Sequence, residues 1–141
     1  MKKRICVIDG QGGGIGGAII KRLKEEYGES VEILALGTNA IATAQMMKSH
    51  ANRGATGENA IARTVAVADL VIGPVSIAWA NAMMGEVTPR MAEAVASTKA
   101  PKIYLPLFQE GVTIVGLAGE PLPHLVETIV AKTIKEYLPH V

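Results

Sequence analysis

Aromatic residues are scarce in this chain: with one Trp, one Phe and three Tyr, they make up only 4% of its 141 residues. A core without large rings must be filled by Ala, Ile, Val, Leu and Met, which suits helices packed closely on a sheet. The chain has a single cysteine, Cys6, so an internal disulfide is excluded. Its place inside an apolar run reads as a small buried hydrophobe in a reducing compartment, and a cytoplasmic location is expected. Charge of one sign is also missing: 14 basic and 13 acidic residues leave a net charge of +1. That balance gives no footing for a nucleic-acid or membrane partner. No long apolar run exists either. The longest uncharged stretch, Leu70 to Gly85, contains Gly73, Pro74, Ser76 and Asn81 and is too short to span a bilayer. The basic start Lys2–Arg4 is followed by only four apolar residues before Asp9 ends the run, well short of a signal segment.

What is present is core material. At 49% hydrophobic and 19% charged, the chain is expected to fold as one domain over 1–141. "ICVI" at 5–8 reads as a buried strand. Ile15, Ile19, Leu23 and Tyr27 then recur every four residues, an amphipathic helix with Gly28 at its C-cap. "VEILALG" at 31–37 is a second strand, and such a unit is a right-handed crossover between parallel strands. Thr38 and Asn39 precede a helix, "HANRGA" reads as a loop, and Thr56 is placed to cap a helix running to about Val67. A third strand follows at 68–74, then an apolar helix "SIAWANAMM", and a helix capped by Thr88 with Pro89 at its first position. "PKIYLPL" at 101–107 is a fourth strand. "GVTIVGL" at 111–117 follows after a connection too short for a parallel crossover, which predicts an antiparallel edge strand. Leu122 to Leu138 trace one face of a closing helix. The expectation is a three-layer α/β, Rossmann-like domain: a mostly parallel sheet of about five strands with helices on both faces.

The densest signal is "VIDGQGGGIGGAII", residues 7–20. Gly12, Gly14 and Gly17 satisfy G-x-G-x-x-G between a strand and an amphipathic helix. In that context glycines permit a tight turn, bring backbone close to a phosphate and let helix and strand pack. The helix start adds unpaired N–H groups and a positive dipole end. A tight turn alone would need fewer glycines, because ordering them costs entropy. The N–H groups around residues 10–17 are therefore expected to face an open crevice. A P-loop is disfavoured, since Ala18-Ile19 stands where Lys-Ser or Lys-Thr would be. "DGQGGGIG" is similar to the T-G-x-x-x-G-I-G signature of the short-chain dehydrogenases, with Asp9 in the threonine's place. Their Tyr-x-x-x-Lys is absent, because Val31, Phe108 and Val141 follow the three tyrosines. No acid ends the second strand to take ribose hydroxyls; Gly37, Thr38 and Asn39 stand there, able to bond a ribose neutrally or simply to cap the helix.

The expected ligand is phosphate-bearing: NAD, NADP or another nucleotide. The residues expected to hold it are Gly10, Gln11, Gly12, Gly13, Gly14, Ile15, Gly16, Gly37, Thr38, Asn39, Thr56, Gly57, Asn59 and Pro74. "RGATGENA" supplies the last group but one, and the loop 50–59 is expected to fold over the crevice as a lid. Asp9 and Glu58 are the carboxylates available for acid or base work, though Asp9 also suits a plain turn with Gly10. His50, His124 and His140 share no metal-ligand spacing with one another or with Cys6, so no metal is expected. The apolar residues of 76–85 lie on several sides of the expected helix, which points to burial all round, as ordinary core or in part against another subunit of a homo-oligomer.

Six segments in order, "VIDGQGGGIG", "ALGTNAIAT", "GATGENAI", "ADLVIGP", "GEVTP" and "EPLPHL", resemble a family of small bacterial proteins classed as domain of unknown function 3842. The resemblance implies a compact Rossmann-like cytoplasmic protein and carries no reaction or catalytic residue. Three functions therefore stand, in this order: a nucleotide-binding module, a small enzyme on a phosphorylated metabolite, and a structural or regulatory homo-oligomer.

Overall fold

Alternating apolar residues decide the layers. In the computed structural model, which describes residues 1–138, β1 (Lys3–Asp9) sends Ile5 and Val7 to one face and Cys6 and Ile8 to the other. β2 (Val31–Gly37) and β4 (Leu70–Pro74) alternate in the same way, so both faces of the sheet are apolar and need cover. On the first face Ile19, Ile20 and Leu23 of α1 (Gly14–Tyr27) and Met46 of α2 (Ala40–Lys48) provide it. They are joined by Val126 of α5 (Leu122–Thr128), with Ile129 and Val130 beyond it. On the second face Ile61 and Val65 of α3 (Glu58–Val65) meet Met91, Ala92 and Val95 of α4 (Pro89–Ser97). α5 continues through a π turn, Ile129–Thr133, into a last turn α6 (Ile134–Tyr137).

Two further strands complete the sheet, β3 (Arg53–Thr56) and β5 (Lys102–Leu105), in the order β3-β2-β1-β4-β5 with every pair parallel. The chain winds outward from β1 to β3 and then jumps back to β4, so the order reverses between β1 and β4. The chain leaves their C-terminal ends toward opposite faces of the sheet, α1 to the first and Ile77 to the second, and a crevice lies between, the usual ligand position in an open α/β sheet.

Four expectations are corrected. The antiparallel edge strand at 111–117 does not form. Gly111 and Gly116 take φ of 85° and 93°, which turn the chain, and residues 109–121 are all exposed. β5 is itself the edge on that side, and the fifth strand, β3, forms the opposite edge, in a segment expected to be a loop and lid; it is pinned to β2 from Leu34–Arg53 to Gly37–Thr56. Thr56 consequently ends a strand, its hydroxyl 2.7 Å from that of Thr43, and Gly57 takes the cap position of α3. Nor do residues 76–85 form a helix. One 3₁₀ turn, Val75–Ala78, is followed by Asn81, Met83, Met84 and Gly85, all with φ between 56° and 89°, which no right-handed helix accommodates. Of the expected self-association surface, Ser76, Ile77 and Ala82 are buried, while Met84 is 97% exposed.

The expected caps Asn39 and Thr88 do form: Asn39 Oδ1 accepts from Ala42 N at 2.8 Å and Thr88 Oγ1 from Met91 N at 3.2 Å. Among the described residues, no helix is long and apolar enough to cross a membrane.

Candidate functional site

The crevice at the β1/β4 divide has a volume of about 460 Å³. Its floor is the end of β1 and the turn into α1: Asp9, Gly10 through Gly14, and Ile15. Pro74 and Ser76 at the end of β4 form a second side, and Leu107, Phe108 and Gln109 beyond β5 a third. Trp79 packs on Phe108 with ring centroids 5.3 Å apart, tying the loop after β4 to the loop after β5. Asn81, Met83 and Met84 close the fourth side. Among the described residues, no Lys or Arg lines the crevice.

The amides of the glycine turn divide into two groups. Some are already engaged by the chain. Asp9, 3% exposed, accepts from Gly10 N at 2.8 Å through Oδ1 and from Gly16 N at 2.7 Å through Oδ2. Gln11 N donates to Glu86 Oε1 at 2.8 Å, Gly13 N to Gly10 O at 2.9 Å, and Gly17 N to Gly13 O at 2.9 Å. The expectation that the whole turn faces outward is thus corrected, because two of the chain's own carboxylates take part of it. The N–H groups of Gly12 and Gly14 form no hydrogen bond with any described residue, and both glycines are exposed on the crevice wall. The Gly14 amide lies in the first turn of α1, where the helix dipole is positive.

The glycines differ in what requires them. Gly13 has φ of 76°, and a Cβ there would lie 2.6 Å from Ala42 O. At Gly10 a Cβ would meet Met83 Sδ and Thr38 Oγ1, and at Gly37 it would meet the Thr43 side chain and the backbone of Asn39. At Gly10 the neighbouring side chains would have to shift, whereas Gly13 and Gly37, which would meet backbone, need glycine for the fold itself. Gly12 and Gly14 do not: neither has a left-handed φ, and a Cβ on either meets nothing within 4 Å.

Other expected residues sit apart from the crevice. Thr38 and Asn39 stand at the end of β2, beside Gly10, gathered around Glu86. Thr56, Gly57, Glu58 and Asn59 lie at the end of β3 and the start of α3 and do not line it. Glu58 Oε1 accepts from Thr88 Oγ1 at 2.8 Å, which ties α3 to the start of α4. His50 and His124 are exposed, and His140 lies outside the described residues. Among the described residues, no three His, Cys, Asp or Glu side chains gather as metal ligands. Burial pushes the Cys6 thiol up to about 12, so it is no nucleophile at neutral pH. Sequence reasoning missed Asn81, Leu107, Phe108, Gln109 and Glu86. Phe108 and Gln109 were open to it, because residues just past a parallel strand's C-terminal end face the crevice.

Burial raises the Asp9 carboxyl above its ordinary value, against the pull of the Gly16, Gly10 and Ile15 amides, and the nearby Glu86 charge adds to the rise. A raised value means that the folded protein holds this proton more tightly than the unfolded chain does. The group's stabilising share is therefore complete below the ordinary aspartate range and is lost as pH rises through the raised value. Asp9→Asn is expected to remove that falling component from a plot of urea-unfolding free energy against pH. Parallel curves for the two proteins would contradict the assignment.

The family model described as Domain of unknown function (DUF3842) matches residues 4–138, nearly the whole chain. The chain belongs to this family. No curated protein matches it. The match takes in every element of the DUF3842 chain that borders the crevice, from β1 and the glycine turn to the loop beyond β5.

Proposed function

We propose that this DUF3842 protein binds a phosphate-bearing small molecule of the nucleotide class, with NAD or NADP among the ligands to test. The glycine turn holds the phosphate, and the rest of the ligand extends from it along the C-terminal ends of the strands. The observation that carries this reading is the pair Gly12 and Gly14: nothing in the fold requires glycine at either, and both line the crevice with an N–H that no described residue takes. A phosphate drawn up against that backbone would need the missing Cβ atoms and both donors. Binding stands ahead of catalysis here, because the oxygens of Asp9 are occupied by backbone amides and Glu58 is turned toward Thr88.

The test is thermal unfolding with NAD, NADP, FAD, ATP and sugar phosphates. A true ligand at a hundred times its dissociation constant stabilises by about 2.7 kcal/mol; no shift with any of them removes the reading. Gly14→Ala sharpens it. Alanine fits that helical position, so the free protein is expected to gain about 0.4–1 kcal/mol, while the ligand-induced shift disappears. Because no Lys or Arg among the described residues lines the crevice, amides and a helix dipole do the holding. Affinity is then expected to change little between low and physiological salt; a steep dependence would point to a different, cationic site.

A further inference from the structure

The end of β2 lacks the acid that open α/β sheets use to hold ribose hydroxyls; Thr38 and Asn39 stand there instead. The structure fills that place from elsewhere. Glu86, 48 residues beyond Thr38, brings its Oε1 to 2.7 Å from Thr38 Oγ1, 2.7 Å from Asn39 Nδ2 and 2.8 Å from Gln11 N. Three donors on one oxygen fix the carboxylate at the edge of the glycine turn. The other oxygen, Oε2, takes no hydrogen bond from any described residue. Since no buried side-chain N or O is left without a partner among them, it is open to solvent.

The route by which Glu86 arrives is costly. Asn81, Met83 and Met84 adopt left-handed φ of 68°, 57° and 56°, each disfavoured for a side-chain-bearing residue. The loop is held in that shape by Asn81 N to Val87 O at 2.7 Å and Glu86 N to Met83 O at 3.1 Å. The same bend puts Met83 in the crevice wall and brings Met83 Sδ and Glu86 Oε1 together beside Gly10, so one loop borders both the phosphate turn and the end of β2.

We infer that Glu86 is the residue that selects the ligand's sugar, its free Oε2 accepting a hydrogen bond from a ribose hydroxyl. This rests on the nucleotide reading above and narrows it. An ionised carboxylate only accepts, so it favours a hydroxyl and repels a phosphate at the same position. The ligand is then a ribonucleotide with free ribose hydroxyls, NAD-like rather than NADP-like. Hydrogen bonds from the Gln11 N–H, Thr38 and Asn39 outweigh burial and hold Glu86 below the ordinary glutamate range, so it carries its charge at neutral pH.

Calorimetric titration of the intact protein with ADP, GDP, CDP and UDP, with their 2′,3′-dideoxy forms and with their 2′-phosphorylated forms tests this. At least one ribonucleotide is expected to bind about ten-fold or more tighter than both of its counterparts. Glu86→Gln keeps one oxygen for the three donors but replaces Oε2 by an N–H donor and removes the charge. It is expected to lose most of the ribonucleotide preference and to gain affinity for the 2′-phosphorylated form. Equal binding of ribo and dideoxy forms by the wild-type protein overturns the assignment while leaving nucleotide binding intact. Tighter ribonucleotide binding by Glu86→Gln also overturns it, showing that the side chain obstructs the site. If none of the four ribonucleotides binds, the nucleotide reading falls and this one with it.

Discussion

Gly13→Ala is expected to destabilise the protein by about 2–5 kcal/mol, from a left-handed backbone costing about 1–2 and overpacking costing about 1–3. The two parts have separate origins. With φ at 76°, an L side chain at residue 13 crowds its own carbonyl. Its Cβ would also come 2.6 Å from the oxygen and 2.9 Å from the Cα of Ala42, which are backbone atoms inside α2 and cannot rotate away. Relief requires α1 and α2 to separate, and that opens the first-face core around Met46. The urea midpoint should fall with little change in slope. A midpoint unchanged from wild type would mean that the turn is not held as described. Two residues of the same type on either side, Gly12 and Gly14, should tolerate alanine in the free protein, so the contrast is internal to one turn.

Asp9→Ala is expected to cost about 2–4 kcal/mol, because two buried amides lose their acceptor at about 1–3 each. The side chain bridges Gly10 N and Gly16 N across the start of α1, as a cap does, but from the end of β1 rather than from the residue before the helix. Gly13, which occupies the cap position, has no side chain to offer. The loss is offset in part because the charge no longer has to be held out of water. Amide hydrogen exchange at Gly16 should accelerate in the variant more than exchange in β2. Uniform change across the protein would assign Asp9 no local role.

The first half of the fold was legible because its signals are local. An apolar run, a glycine turn and a four-residue repeat make β1, α1 and β2 readable from residue types alone. β3 was not, since "RGAT" carries no apolar run and becomes a strand only by pairing with β2. The opposite error arose at 111–117, where "GVTIVGL" has strand-like residues but two glycines in left-handed turns, and the segment leaves the free side of β5 unpaired. At 76–85 an apolar composition suited a helix, yet Asn81, Met83 and Met84 bend the chain back toward Gly10. The site was legible to the same extent. The glycine turn and Pro74 follow from the rule that ligands meet strand C-terminal ends. Which amides the chain keeps for itself depends on Asp9 and Glu86, and no spacing in the sequence links Glu86 to Thr38.

The binding account turns on two donors, and they can be observed individually. Backbone ¹H–¹⁵N spectra recorded while a ribonucleoside diphosphate is added should show the Gly12 and Gly14 signals moving furthest. Those of Gly10 and Gly16, already held by Asp9, should move little. Saturable binding that leaves the Gly12 and Gly14 signals in place would contradict the account and locate the ligand elsewhere on the protein.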